Sequence, residues 1–108
     1  MGLWRIRDRR TFLTLRTDGG RGRSGPVSIT VVPSDDGTPP RVAFAIGKRV
    51  GNAVERNRLR RRLRAVVSEL QPPSGAYLLS AGPEATAFSY AELRGHVSRA
   101  LDAAVVRS

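Results

Sequence analysis

The sequence has no cysteine, one histidine and one lysine. Without cysteine the chain cannot form disulfide bonds or thiolate metal sites, and a cytoplasmic location is expected. No apolar run approaches the ~20 residues that a membrane helix needs, and the first residues lack the apolar core of a secretory signal. The single histidine, His96, has no second histidine or cysteine to share a metal with, so no metal site on the protein is expected. The serines are predicted to lack a base partner, which excludes a hydrolytic triad.

Positive charge is what the chain has in excess, with a net charge of +10 on 108 residues. Such a field attracts polyanions. Residues 1–25 carry seven arginines against two aspartates, and residues 47–64 carry eight basic residues against one glutamate, whereas residues 26–46 and 65–108 each carry a net charge of −1. A coding bias explains the choice of arginine over lysine but not this uneven placement. The placement therefore favours a binding site over a uniformly charged surface.

Three segments are rich in β-branched or apolar residues and are bounded by glycine or proline, which is typical of β-strands. They are Val27–Val32, Arg41–Ile46 and Ala76–Ala81. The near-continuous apolar character of the second segment predicts an inner position in a sheet. The stretch RGRSG at residues 21–25 is predicted to be a flexible basic loop.

Three further segments have helical patterns. The first, over residues 5–17, is irregular. The second covers residues 52–70, with Asn52 as its N-cap, and is the clearest element of the chain. The third begins at Ser89, which can form a capping box with Glu92.

The order of these segments, without a repeat or a linker, predicts one small α+β domain over residues 1–108, with helices packed on a sheet. Residues 1–4 and 106–108 are expected to be loose ends.

The helix over residues 52–70 separates apolar from basic residues when it is projected at ~100° per residue. The apolar stripe consists of Leu59, Leu63, Val66 and Leu70. One flank of that stripe carries Arg56, Arg60 and Arg64, with Asn57 and Arg61 beside them, whereas Arg58 and Arg62 point elsewhere. Like charges four residues apart destabilise a helix by roughly 0.2–0.5 kcal/mol per pair, so an external anion is expected to relieve them. The planar guanidinium matches phosphate oxygens, and the flank therefore predicts a nucleic-acid contact over a merely solvated face.

The segment Gly47–Asn52 (GKRVGN) precedes this helix and places two basic residues between glycines. Glycine allows close backbone approach, and a helix N-terminus attracts anions. The segment is not a nucleotide-binding P-loop, because the longer loop and its terminal Lys-Ser/Thr are missing.

Residues Gly47–Arg64 (GKRVGNAVERNRLRRRLR) resemble the RNR signature of bacterial ribonuclease P proteins. The family pattern is two basic residues, Val/Ile-Gly-Asn-Ala-Val, any residue, Arg-Asn-Arg, an apolar residue and a basic run. The resemblance implies an α-β-β-β-α-β-α domain with helices on a mixed sheet, the ribosomal protein S5 domain 2-like fold, and a left-handed β-α-β crossover. One family strand is not legible in the sequence, and Arg23–Pro26 is its expected place.

The resemblance also implies a function in the 5′ maturation of tRNA. An RNA subunit would carry out the Mg²⁺-dependent hydrolysis, and the protein, inactive alone and without a bound cofactor, would bind ribonuclease P RNA and the 5′ leader of precursor tRNA. No membrane or small-molecule partner is expected. The implied RNA-contacting residues are Lys48, Arg49, Arg56, Asn57, Arg58, Arg60, Arg61 and Arg64. The implied leader cleft contains Phe12, Arg16 and Thr30, although the family often has aromatic residues at the last two positions. Phe12 can alternatively be a core residue.

Two other functions remain open from the residues alone. The basic helix would equally suit a general RNA-binding or ribosome-associated protein. A DNA-binding protein is less favoured, because no helix-turn-helix pair is evident.

Overall fold

The computed structural model describes residues 3–108, which form three α-helices and a five-stranded mixed sheet. The strands are β1 (Trp4–Arg5), β2 (Gly20–Ser24), β3 (Val27–Pro33), β4 (Arg41–Ala45) and β5 (Gly75–Ala81). The helices are α1 (Arg9–Asp18), α2 (Ala53–Leu70) and α3 (Tyr90–Arg107). Single 3-10 turns at Lys48–Val50 and Pro83–Ala87 precede α2 and α3.

The strand order in the sheet is β1-β4-β5-β3-β2. Strand β4 pairs in parallel with β1 and β5, and β3 pairs antiparallel with β5 and β2. The inner position predicted for β4 is therefore confirmed. Helix α2 connects the parallel neighbours β4 and β5, so it forms the β-α-β crossover, whose left hand stays a prediction. After the short β1, the element order is the predicted α-β-β-β-α-β-α.

The sheet separates two apolar clusters. On one face, alternate residues of β3 and β5 pack against α2 and α3, and this larger cluster includes Ile29, Leu63 and Val97. On the other face, Leu15 of α1 packs with Ile6 and Ala76. The two faces of the sheet therefore carry different helices: α2 and α3 pack on one face, and α1 packs on the other.

The helix starts follow their capping residues. The side chain of Asn52 accepts a hydrogen bond from Glu55 N (2.9 Å), and Asn52 N donates to Glu55 Oε1 (3.0 Å). Ser89 and Glu92 form the same reciprocal pair, so both predicted caps are confirmed. The first helix begins later than predicted, at Arg9, because Asp8 accepts from the backbone of the first turn as an N-cap. The residues before Asp8 pair with β4 instead.

The prediction of a flexible loop over RGRSG is wrong, because these residues belong to strand β2 or to the turn that follows it. Gly20 and Gly22 are buried against α3, and a Cβ at Gly22 would overlap the backbone of Ala100 and Ala104. Glycine here allows a helix to pack directly on a strand. Strand β2 is also the family strand that was not legible in the sequence, and at Gly20–Ser24 it begins three residues before its expected place at Arg23–Pro26.

Of the expected loose ends, Trp4 lies in β1 and residues 106–107 lie in α3, whereas Leu3 and Ser108 lie outside regular structure. Trp4 N donates to Pro40 O (2.9 Å) in the pairing of β1 with β4, and α3 continues to Arg107. Met1 and Gly2 lie outside the described residues. Within residues 3–108, no helix is both long and apolar enough to span a bilayer.

Candidate nucleic-acid interface

Helix α2 buries its apolar stripe and presents much of its basic flank to solvent. Leu59, Leu63 and Val66 are at most 1% exposed. Along one flank of this stripe, an open groove of about 520 Å³ runs between α2 and the edge of the sheet. Its lining consists of Arg5, Phe44, Val54, Asn57, Arg60, Arg61 and Arg64. The structure therefore brings together four of the eight predicted RNA-contacting residues.

Two contacts hold guanidinium groups in place within this groove. Arg60 Nη1 donates to Asn57 Oδ1 (2.8 Å), one turn earlier on α2. The guanidinium carbon of Arg64 lies 5.3 Å from the centre of the Phe44 ring, a cation–π distance. Ordering these side chains before a ligand arrives reduces the entropy lost on binding.

The arginines of α2 have no carboxylate partner among the described residues. The ion pairs of residues 3–108 are Arg41–Asp8 (3.9 Å) and Arg94–Glu69 (2.7 Å), both away from the groove. The one acidic residue of the basic segment, Glu55, is engaged by the N-cap of its own helix. The repulsion along α2 is therefore left for an external anion to relieve.

Two predicted contact residues on α2 lie outside this groove. Arg56 projects next to the apolar stripe, and its Nε is buried without a hydrogen-bond partner among the described groups. Arg58 lines a separate pocket of about 140 Å³ with Glu55, Leu59, Arg62 and Thr86. Arg62 itself donates to Phe88 O (2.6 Å) and ties α2 to the segment before α3. Adjacent arginines of one run thus have different structural roles.

Lys48 and Arg49 are exposed on the 3-10 turn that precedes α2. The backbone amide of the N-cap, predicted to attract an external anion, already donates to the carboxylate of Glu55. Gly51 makes room for that carboxylate, because a Cβ at this position would collide with Glu55. The glycine therefore serves the helix cap rather than an approach to phosphate.

A second basic surface lies on the other face of the sheet. Because side chains alternate along a strand, Arg21 and Arg23 point away from α3 while the glycines beside them face it. Arg21 is paired opposite Thr30, and Arg23 opposite Ser28. An open groove of about 430 Å³ is lined by Arg21, Gly22, Arg23, Ser28, Ile29, Thr30, Ser80 and Arg107.

Helix α1 packs on the same face of the sheet as this second groove, although neither Phe12 nor Arg16 lines the groove. Leu15 is the buried centre of α1, and Thr11, on one flank, accepts from Arg41 of β4 (3.4 Å). Phe12 and Arg16 are both exposed and lie four residues apart on the flank of α1 opposite Thr11. Phe12 is 39% exposed, so it is not a core residue. Of the three predicted cleft residues, Thr30 lines the groove, while Phe12 and Arg16 lie on the helix that packs on the same face of the sheet.

The prediction that no serine has a base partner is wrong for Ser24. Ser24 Oγ lies 2.8 Å from His96 Nδ1, and Arg99 contacts both, at 3.2 Å from Ser24 Oγ and 3.3 Å from His96 Nδ1. The ring of His96 stacks on Phe88 with centroids 4.7 Å apart. Among the described hydrogen bonds of His96 there is none to a carboxylate, which a catalytic triad requires. The cluster joins the β2–β3 hairpin to α3.

Several residues that line the two grooves were not predicted from the sequence, among them Arg5, Phe44, Arg21 and Arg23. Arg21 and Arg23 had a signal, because they alternate with glycine at the spacing of a strand. Arg5 and Phe44 had none, since only the pairing of β1 with β4 brings the chain start beside α2.

Comparisons with known proteins agree with the fold and the basic helix. The family model for ribonuclease P matches residues 3–105. A ribonuclease P protein component of Gluconacetobacter diazotrophicus is 37% identical over 107 residues, covering 95% of this chain and 92% of the relative. One of Thermus brockianus is 41% identical over 92 residues, covering 85% of this chain but 54% of that longer relative.

Solved structures show the same fold. The ribonuclease P protein of Staphylococcus aureus superposes with a TM-score of 0.81 at 18% identity, over 97% of this chain and 98% of that one. The protein from Thermotoga maritima superposes with a TM-score of 0.74 at 18% identity, over 87% and 91%. The resemblance first seen in the α2 segment thus extends over almost the whole described chain, which belongs to the bacterial ribonuclease P protein family.

Proposed function

We propose that this chain is the protein subunit of ribonuclease P, and that it binds the RNA subunit and the 5′ leader of precursor tRNA to promote 5′ maturation. The observation that carries the proposal is the presence of two basic grooves on opposite faces of one sheet. A polyanion in one groove does not block the other, so the protein can hold two RNA segments at once.

The groove on α2 is proposed to bind ribonuclease P RNA. Its arginines have no carboxylate partner among the described residues and are partly ordered by neighbouring side chains, and their planar forks suit phosphate oxygens. The exposed Lys48 and Arg49 would extend this contact. Arg56 and Arg58 stay in the proposed set as peripheral contacts.

The groove beside α1 is proposed to bind the single-stranded leader. Phe12 offers an exposed aromatic face, and stacking of a base on such a face is worth roughly 1–3 kcal/mol. Arg21 and Arg23 supply positive charge next to the polar Thr30, and Arg16 adds an exposed guanidinium group on α1. With one aromatic residue here, charge is proposed to contribute more to leader binding than stacking.

We propose that the RNA subunit performs the hydrolysis with Mg²⁺ and that the protein positions the two RNAs. The residues of the two grooves are arginine, asparagine, hydroxyl and apolar side chains. Such groups bind and orient phosphates but provide no general base at neutral pH.

Reconstitution with a bacterial ribonuclease P RNA and a precursor tRNA tests the proposal. At low Mg²⁺ concentration the protein is expected to increase the rate of 5′ cleavage, and more so for a substrate with a leader than for one shortened to a single leader nucleotide. Arg16→Ala should reduce the leader-dependent part, whereas Arg60→Ala should weaken binding of the RNA subunit. Intact RNA binding without stimulation would favour a general RNA-binding protein, and tighter binding of duplex DNA would favour a DNA-binding one.

A further inference from the structure

The start of the described chain contributes basic residues to the α2 side of the sheet. Strand β1 pairs in parallel with β4, and Arg5 lies opposite Val42, a buried residue on the α2 face. Alternation then places Arg7 on the same side as Arg5. Ile6 points to the opposite side, where it is buried under α1. Two arginines far from the α2 motif in sequence therefore lie beside it.

These residues continue the α2 groove along the sheet edge. An adjoining groove of about 560 Å³ is lined by Leu3, Trp4, Arg5, Arg7 and Arg64. Arg5 and Arg64 line both grooves, so the two form one surface. No carboxylate is among the residues that line either of them.

The α2 groove also has apolar residues among its arginines. Phe44 is partly buried against the core, and Val54 is 75% exposed on the first turn of α2. A paired RNA helix presents mainly phosphates and sugars to such a surface, and these gain little from apolar contact. An unpaired nucleotide offers both a base, which stacks on aromatic rings and guanidinium planes, and a phosphate. The mixture of arginine and apolar side chains fits the second ligand better.

We propose that the surface formed by the two grooves binds an unpaired nucleotide of its RNA partner, with the base against Phe44, Val54 and Arg64 and the flanking phosphates on Arg5 and Arg7. This inference rests on the proposed function, because it names the kind of RNA segment that the α2 surface takes from ribonuclease P RNA.

Photo-crosslinking locates the bound segment. The chain has no cysteine, so Val54→Cys creates a unique attachment point for a thiol-directed photo-crosslinker. After irradiation with ribonuclease P RNA, primer extension should map the crosslinks to nucleotides that are unpaired in the RNA fold. Asp102→Cys, exposed on α3, is the matched control and should give few or no crosslinks at those positions. Crosslinks from position 54 that fall only within paired helices would overturn the proposal.

Salt dependence tests the two β1 arginines. Arg5→Ala and Arg7→Ala should each lower the slope of log K against log salt by about 0.7, the value for one single-strand phosphate contact. Arg10→Ala removes the same charge from an exposed position on α1 that lines neither groove, and should leave the slope nearly unchanged. Equal slopes for all three variants would refute the proposed phosphate contacts of Arg5 and Arg7. In either assay, an unsubstituted protein that fails to bind the RNA would instead refute the proposed function.

Discussion

Arg60 and Arg62 lie two residues apart on α2, and the structure predicts opposite consequences of replacing each with alanine. Arg60 faces the groove, and its side-chain bond is to the exposed Asn57 on the same helix. Arg62 donates to Phe88 O at 2.6 Å and so joins α2 to the segment before α3. The first variant should therefore affect binding and the second should affect stability.

For Arg60→Ala, the loss of one phosphate contact should lower the salt slope of RNA binding by about 0.7–0.9. Over a fourfold change in salt concentration, the affinity of the variant should therefore change roughly threefold less than the affinity of the unsubstituted protein. The free energy of unfolding should stay within about 0.5 kcal/mol, because alanine is a strong helix former and a like-charge repulsion is removed.

For Arg62→Ala, the salt slope should not change, while the free energy of unfolding should fall by roughly 1–2 kcal/mol through loss of a charged hydrogen bond that is partly buried. Filter binding at four or more salt concentrations and urea unfolding followed by circular dichroism measure the two quantities. The reasoning is refuted if the variants change the same quantity, or if Arg62→Ala alone flattens the salt dependence.

Two further predictions concern stability. Gly22→Ala should lower the free energy of unfolding by roughly 1–3 kcal/mol, because its Cβ would overlap the backbone of α3. Gly47→Ala is the control and should be neutral or slightly stabilising, because no atom lies within 4 Å of the added Cβ. Equal urea midpoints for the two variants would argue against close packing at β2. The Tyr90 hydroxyl and the Arg94 guanidinium lower the pKa of Glu69 from 4.5, so the stability from this cluster is present above pH 4.5 and is lost as the pH falls through the lowered pKa. Glu69→Gln should therefore weaken the acid dependence of unfolding, and an unchanged profile below pH 4.5 would contradict the assigned cause.

The two basic grooves explain why the charge of the sequence is split between two blocks. The block that ends at residue 25 supplies Arg16, Arg21 and Arg23 to the α1 face, and the block at residues 47–64 supplies α2. Arg5 belongs to the first block in sequence but to the α2 surface in space. In this chain, the two charge blocks correctly indicate two basic surfaces, but they do not show which arginine belongs to which surface.

The sequence by itself determined the features that depend on neighbours within one or two turns of a helix. The extent of α2, its cap at Asn52 and the separation of Leu63 from Arg60 follow from spacings of three and four residues. The family motif lies on this same helix, so it was legible for the same reason.

Only the tertiary structure decided which side chains meet across the chain. The glycines of β2 become packing residues because α3 lies against them, and Arg5 joins the α2 groove because β1 pairs with β4. Arg62 becomes a structural residue because Phe88 O lies within reach of it. These outcomes depend on contacts between residues tens of positions apart, for which local periodicity carries no signal.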